Sequence, residues 1–388
     1  MKKKVLFIIW SFTAGGGAEK ILANIVNNLD SEKYEIDVWE YQRFNISKEE
    51  IASSIRLISP AIYEIDINEN ILKNTLKRVN NKVINKIMNT DPRLLRKIFL
   101  KNKYDIEVAF NYQIPTFLLT TNKNKKKFAW IHSSIEDLDY RKYNENDNNR
   151  VRKQYDMQKV AFSNCDKVIA ISKVTEESIL SLYPEQKDKI VRIYNGYDFE
   201  KIYKKSNLFR VDKSEKFRLV AIGRLCKQKN FKLLLEAVSV LVNYSIDFEL
   251  LILGEGPERN YLEKYINEKS LNNYVKLLGF IENPYPYIKS SDLMCLSSIA
   301  EGFPTVLVES MALGVPFIST DVAGADELSC NGSCGVISLY EPQIYAEDII
   351  KLINKPEEVN KMSLMCKEEI LRYTLQNQIK NIEELFDN

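Results

Sequence analysis

Short apolar or β-branched runs alternate with helix-length amphipathic stretches along almost the whole chain, the pattern of parallel strands joined by crossover helices. In the first half, strands are predicted at 5–10, 35–40, 62–67, 106–110, 128–132, 167–171 and 190–194. In the second half they fall at 218–222, 249–253, 275–278, 293–296, 316–319 and 335–337. Each half reads as a doubly wound α/β layer. Asn195-Gly196 is a turn signal, and the stretch on to Lys216 is polar, basic and without a sustained period. The expected division is a first domain at 1–195, a linker at 196–216 and a second domain at 217–370. A terminal helix at 371–388 has no strand after it to cover and is free to cross back to the first domain.

Length and composition agree with two domains and exclude several classes. The chain has 388 residues, 45% of them hydrophobic and 28% charged, which is an ordinary globular balance and not that of a disordered or fibrous chain. With 55 basic against 53 acidic residues the net charge of +2 carries no nucleic-acid signature. No run is apolar for long enough to span a membrane, and the run at 5–10 after the N-terminal lysines is a strand and no export signal. Six scattered cysteines read as reduced thiols, so a cytoplasmic location is expected. Cys330 and Cys334 have metal-like spacing, but no second pair or nearby histidine completes a ligand set, and no bound metal is expected.

One region departs from the alternation. Between Ile71 and Lys103 there are ten basic residues and one acidic residue, Asp91. On a helical wheel Leu72, Leu76, Val79, Val83 and Ile87 form one stripe flanked by Lys73, Lys82 and Lys86, with Asn74, Asn81 and Asn85 facing away. Two readings stay open: the stripe is core and the basic face is solvated, or the segment 71–103 lies against an anionic membrane surface.

Candidate chemistry clusters after strands. Gly15, Gly16 and Gly17 follow the first strand and precede a helix, so backbone N–H groups are offered to an anion, although the spacing is not that of a dinucleotide fingerprint. His132, the lone histidine, ends the strand in WIHSS, at the sheet edge where open α/β folds bind ligands. In the second half, Arg224 and Lys229 follow the first strand and suit a diphosphate, Arg as a fork and Lys as a point charge. Gly254 and Gly256 follow the next strand. In EGFPTVLVE, Glu301 precedes a helix and Glu309 lies more than a turn inside it, so the two can serve different parts of one ligand. The N–H groups of Phe303, Thr305 and Val306 add a second anion-binding feature.

Taken together, GGGAEKIL, WIHSS, IYNGYD, GRLCKQKN, VKLLGFIENPYPYIKSSDLMCLSS and EGFPTVLVESMALGVPFISTDVAGADEL resemble, in order and spacing, the retaining GT-B glycosyltransferases of the family 4 type that serve bacterial surface polysaccharide synthesis. The resemblance implies two Rossmann-like domains facing across a cleft, and hexosyl transfer from a nucleotide diphosphate sugar without a metal or other cofactor. It places Gly16 and Gly17 by the donor phosphate and acceptor, and His132 by the donor sugar. Arg224 and Lys229 fall on the diphosphate, Glu301 on sugar hydroxyls and Glu309 on the ribose. The base falls near Gly254 and around Gly279, Phe280 and Ile281. The sequence departs from several relatives at Ser133-Ser134, where they carry an acidic residue soon after the histidine. A UDP-linked hexose or N-acetylhexosamine is the favoured donor, with a GDP-sugar the alternative. A glycan, in particular a lipid-linked surface polysaccharide intermediate, is the expected acceptor. Peripheral contact of a cytoplasmic enzyme with the inner face of the cell membrane through 71–103 is the further expectation. A dinucleotide-dependent oxidoreductase, the other class that two Rossmann-like halves permit, lacks its glycine fingerprint in both halves.

Overall fold

The computed structural model describes residues 2–13, 17–44, 51–65, 70–142, 145–213, 215–244 and 246–388. Contacts divide the chain into two units, 1–196 with 375–388, and 197–374.

The first unit contains β1 (Lys3–Ile9), β2 (Tyr34–Glu40), β3 (Gln42–Arg43), β4 (Arg56–Ile58), β5 (Ile62–Tyr63), β6 (Ile106–Ala109), β7 (Lys126–Ile131), β8 (Lys167–Ala170) and β9 (Ile190–Arg192). Seven of these form one parallel sheet in the order β4-β2-β1-β6-β7-β8-β9, while β3 and β5 pair separately as a short ribbon. The central strands are continuous apolar runs because both faces are covered. Val5 to Ile9 of β1 are all buried, as are Phe128 to Ile131 of β7. One face carries Leu6, Ile8, Ala109, Ala129, Ile131 and Val168 into a common core.

The second unit contains β10 (Phe217–Ile222), β11 (Phe248–Leu253), β12 (Val275–Gly279), β13 (Leu293–Leu296), β14 (Phe317–Thr320) and β15 (Gly335–Ser338). They form a parallel sheet ordered β12-β11-β10-β13-β14-β15. The order reverses beside β10, so the loops after β10 and β13 lie side by side at the carboxyl edge there. Leu219, Ala221, Leu250 and Ile252 pack beneath the helix Phe231–Val242, whose Leu234, Leu235 and Val238 are fully buried.

Two sequence expectations need correction. The strand expected at 62–67 is only the two residues of β5, which pair with β3 outside the main sheet; 66–69 lie outside the described residues. The edge of that sheet is instead β4, three residues that pair with Asp37 to Trp39 of β2 and leave Arg56 and Leu57 exposed. So short and outward-facing a strand has no apolar period to read. The supposed linker is also ordered in part. The helix Phe199–Ser206 occupies it, and Lys205 and Asn207 bond to Asn283 and Lys289 within the second unit.

The helix Leu375–Asp387 packs in the first unit, at the amino edge of its sheet. Phe386 is fully buried there, stacked on Phe128 at 5.6 Å and edge-on to Tyr34 at 5.7 Å, with Phe7 at 6.5 Å. The Nζ atoms of Lys3 and Lys126 donate to the Phe386 carbonyl at 3.2 and 2.9 Å, satisfying an acceptor that the end of the helix leaves open. Replacing Phe386 with Ala should lower the stability of the intact chain by about 3–5 kcal/mol in urea denaturation, because it opens a cavity among three aromatic rings. The exposed Leu364→Ala should stay within about 0.5 kcal/mol of the parent. Equal effects for the two would contradict a packed terminal helix.

Candidate functional site

In the second unit the loops after four neighbouring strands meet at one edge. After β10 the chain runs through Gly223 and Arg224 into the turn Lys227–Lys229, and Asn230 takes a left-handed conformation to start the next helix. The loop after β11 lies against it. Gly254 has φ +149°, and a Cβ there would stand 1.9 Å from the Gly223 carbonyl oxygen, so no other residue fits. The Gly254 N–H donates to the Gly279 carbonyl at 2.8 Å, joining the loop after β12 to the same row. Gly279 itself has φ +77°. Beyond it Phe280 is exposed and Ile281 half-buried, so the residues expected near a base do gather at one place.

The loop after β13 is fastened to the loop after β10. Ile299 N–H donates to the Gln228 carbonyl, Gln228 Nε2 donates to the Ala300 carbonyl, and Ser297 Oγ donates to the Lys229 carbonyl, all at 2.8–3.0 Å. This clasp brings Lys229 Nζ to 2.6 Å from Glu301 Oε1, which also accepts from Ser298 Oγ at 2.6 Å. Both bonds fall on Oε1, and Oε2 has no bonded partner among the described residues. Arg224 is exposed and has no acidic partner among the described residues. The two cations read from the sequence therefore differ: one is a free charge and the other is held by a glutamate.

The helix Thr305–Ala312 begins beside Glu301 with Pro304 and no side-chain cap. The N–H groups of Thr305 and Val306 find no acceptor among the described residues, so they remain available to an anion. Phe303 is buried, and a Cβ on Gly324 would stand 2.5 Å from its ring, which fixes the entry to the helix. One turn further, Glu309 Oε1 accepts from Tyr285 OH at 3.1 Å. Tyr197 OH is buried without a partner among the described residues, and burial and then the Glu309 charge push its pKa upward. Tyr285 is pushed upward in the same way, so both phenols stay protonated donors beside a carboxylate. Tyr285 was not singled out from the sequence. Its only signal there is a place just after Pro284, in the segment that follows the Gly279 loop.

The first unit supplies a second group of residues at the carboxyl edge of its sheet. Gly15 and Gly16 lie outside the described residues, and Gly17 is the first residue of the helix Gly17–Asn28. The chain leading into that loop is anchored by Glu40, the last residue of β2, which is buried and accepts from Phe12 N–H at 2.9 Å and Thr13 Oγ1 at 3.3 Å. Arg43 closes the pair from the other side. A carboxylate closing the second strand is thus spent on the loop itself. Next to it a cavity of about 290 Å³ is lined by Trp10, Tyr41, Gln42, Asn81, Asn85 and Met88.

His132 follows β7 and lies against Phe110, with ring centroids 4.2 Å apart, and stacks on Trp130 at 6.0 Å. The residue as a whole is half-buried, but both ring nitrogens are buried and have no partner among the described residues. Desolvation holds its pKa down to about 3, so the ring is neutral at physiological pH, with one N–H donor and one acceptor. In the following loop Asp137 accepts from Tyr112 OH at 3.0 Å and Asp139 from Arg141 at 2.6 Å, so both carboxylates are engaged. Cys330 Sγ faces the Glu327 carbonyl and the Glu369 carboxylate. No group of three or more His, Cys, Asp or Glu side chains is arranged to hold a metal among the described residues.

Two family models match the chain in tandem, Glycosyltransferase Family 4 over residues 15–201 and Glycosyl transferases group 1 over residues 204–368. The chain belongs to these glycosyltransferases, and its fold is GT-B. The crystal structure of HepE from Anabaena in complex with UDP superposes with a TM-score of 0.69 at 19% identity, covering all of both chains. An N-acetylgalactosamine-N,N'-diacetylbacillosaminyl-diphospho-undecaprenol 4-alpha-N-acetylgalactosaminyltransferase of Campylobacter jejuni is 30% identical over 58% of each chain. An uncharacterized glycosyltransferase of Haemophilus influenzae is 25% identical over 93% of each. The match to the Campylobacter relative thus spans less than two thirds of that protein's length.

The neutral histidine gives a pH signature. In the unfolded chain it takes up a proton below its ordinary value of 6.5, whereas in the folded chain it does so only near 3. The unfolded state therefore binds more protons between these values. The stability His132 contributes is complete above pH 6.5 and is lost as pH falls toward 3, at up to about 1.4 kcal/mol per pH unit. Urea titrations at pH 7, 6, 5 and 4 should show the parent losing stability faster than His132→Gln. Parallel curves would mean that the ring is solvated.

Proposed function

We propose that the chain transfers a hexosyl or N-acetylhexosaminyl unit from a nucleotide diphosphate sugar, UDP-linked, to a lipid-linked glycan, with retention at the anomeric carbon. The observation that carries this reading is the arrangement at the edge of the second sheet. Exposed Arg224, Lys229 clasped to Glu301, and the uncapped N-terminus of the helix Thr305–Ala312 lie on loops that are bonded together. Cleaving a sugar from a nucleoside diphosphate puts negative charge on the leaving phosphate. Cations and N–H groups held in place by a folded scaffold stabilise that charge without reorganising.

The roles divide by chemistry. Arg224 binds phosphate oxygens directly, since no acidic side chain among the described residues pairs with it. Lys229 is shared between the phosphate and Glu301, which keeps Oε2 for a sugar hydroxyl. Glu309, oriented by Tyr285, accepts from the ribose, and the joined loops at Gly254 and Gly279 border the base. Neutral His132, at the edge of the first sheet, offers a sugar one donor and one acceptor and no positive charge. The UDP in the HepE crystal structure supports the choice of nucleotide, and the name of the Campylobacter relative, which specifies a diphospho-undecaprenol substrate, supports a lipid-linked acceptor.

Arg224→Ala or Lys229→Ala should lower kcat/KM by roughly 10²-fold or more, measured as release of UDP from a panel of UDP-sugars. Near-normal turnover in both variants, with unchanged melting, would refute the phosphate assignment. UDP should raise the melting temperature of the parent and NAD should not, which separates the transferase from the oxidoreductase class. The protein cations already supply charge to the leaving group, so turnover should persist in excess EDTA. Loss of activity restored by manganese or magnesium would overturn a metal-independent mechanism.

A further inference from the structure

The helix Ile71–Thr90 is turned the opposite way from an ordinary amphipathic helix of a globular domain. Leu72, Leu76, Val79 and Val83 remain 72%, 65%, 56% and 51% exposed, and Ile71 is exposed as well. At 100° per residue these four side chains of the stripe fall within roughly 60° of one another. The reading that placed this stripe in the core is therefore wrong; of its five members only Ile87 packs partly against the core.

The opposite face holds the helix down, largely by polar bonds. Asn80 Nδ2 donates to the Ala61 carbonyl and Asn81 Nδ2 to the Tyr63 carbonyl, both at 3.0 Å. Lys77 Nζ donates to the Glu64 carbonyl at 3.1 Å, and Asn85 Oδ1 accepts from Tyr41 OH at 3.1 Å. Only Ile84 and Met88 add buried apolar contacts. The following helix, Pro92–Phe99, likewise exposes Leu94 and Ile98.

The charges around the stripe select its occupant. Exposed Lys73 lies on one side of it and exposed Arg78, Lys82 and Lys86 on the other, with no acidic partner for them among the described residues. Exposed Lys97, Lys101 and Lys103 extend the same sign. A second copy seated face to face would bring like charges together along both flanks. An anionic lipid surface instead receives the apolar side chains below its headgroups and the cations among them. At 1.5 Å per residue the 20-residue helix is about 30 Å long, and its stripe is suited to lying flat. No described helix is long and apolar enough to cross a membrane.

We propose that the helix Ile71–Thr90 is an interfacial anchor that seats the first unit on an anionic bilayer. The inference goes beyond the transferase reading and does not need it, since vesicle binding requires no turnover. The test is co-sedimentation of the full chain with vesicles of phosphatidylglycerol and phosphatidylcholine, and with phosphatidylcholine alone, at low and high salt. Binding is expected only to the anionic vesicles and should weaken with salt. One variant carries Gln in place of Leu72, Leu76, Val79 and Val83, and another Gln in place of Lys73, Arg78, Lys82 and Lys86.

Each variant should bind on the order of 10-fold or more weaker, with the melting temperature unchanged. Hydrolysis of a soluble UDP-sugar should also be unchanged, so a failed anchor and a failed transferase are told apart. Three results would overturn the proposal: no binding to anionic vesicles, equal binding to neutral ones, or a clear fall in melting temperature when the apolar stripe is replaced. A parent dimer in light scattering that the stripe variant abolishes would also overturn it, assigning the face to a second copy.

Discussion

Every pairing within the two main sheets is parallel, and this constraint governs where chemistry can sit. A parallel strand must return by a crossover, so all carboxyl ends of a sheet lie on one edge and all connecting loops gather there. In the second unit this stacks the loops after β10, β11, β12 and β13 so closely that Gly254 and Gly223 touch through their backbones. Close packing of this kind is what lets Gln228, Ser297 and Ala300 bond two loops into one rigid piece. Lys229 and Glu301, 72 positions apart in sequence, then meet with little freedom left to lose. Preorganisation at the site is thus a consequence of sheet topology before any side chain contributes.

Buried carboxylates follow the same logic in structural roles. Asp37, Glu40, Glu107 and Glu249 are all buried, and each is met by an arginine: Arg56, Arg43, Arg96 and Arg218. Such pairs recover the desolvation cost only where further bonds saturate the oxygens. Glu107 also accepts from Thr120 N–H, Asp37 from Tyr104 OH, and Glu249 from Lys276. Glu40 differs, because its extra partners belong to the chain entering the glycine loop. Its removal would leave Arg43 and two loop donors unsatisfied at once. In the second unit Glu301 is held by one cation and one hydroxyl on a single oxygen, which leaves Oε2 without a bonded partner among the described residues.

Apart from β4, the strands of both main sheets were legible because strands buried on both faces are uninterrupted apolar runs, and these stand out from crossover helices. The loop residues Arg224, Lys229, Gly254, Glu301 and Glu309 were legible for a related reason: each follows such a run or lies in the helix after it. Residues whose position depends on tertiary contact were not. β4 has three residues and exposed side chains; Glu40 reads as the end of a strand; Tyr285 is one tyrosine among several. For 71–90 the period gave the helix and its two faces correctly, yet periodicity alone does not say which face turns inward. That depended on what the neighbouring backbone needed.

The need is visible at β5. This two-residue strand is flanked by Ala61 and Glu64, and among the described residues it pairs with β3 on one side only, so carbonyls along 61–64 require partners that no further described strand provides. An unpaired strand edge is a liability unless it is covered. Asn80, Asn81 and Lys77 supply donors to the carbonyls of Ala61, Tyr63 and Glu64, and an apolar helix face could not have done so. The polar face of the helix therefore has a fixed task toward the protein. Side chains roughly 150° around the helix are then obliged to point outward. A chain selected only for solubility would fill those outward positions with polar residues, since they contribute nothing to covering β5. Leucine and valine there, bordered by cations on both sides, make physical sense against a surface that is apolar beneath and negative at its rim.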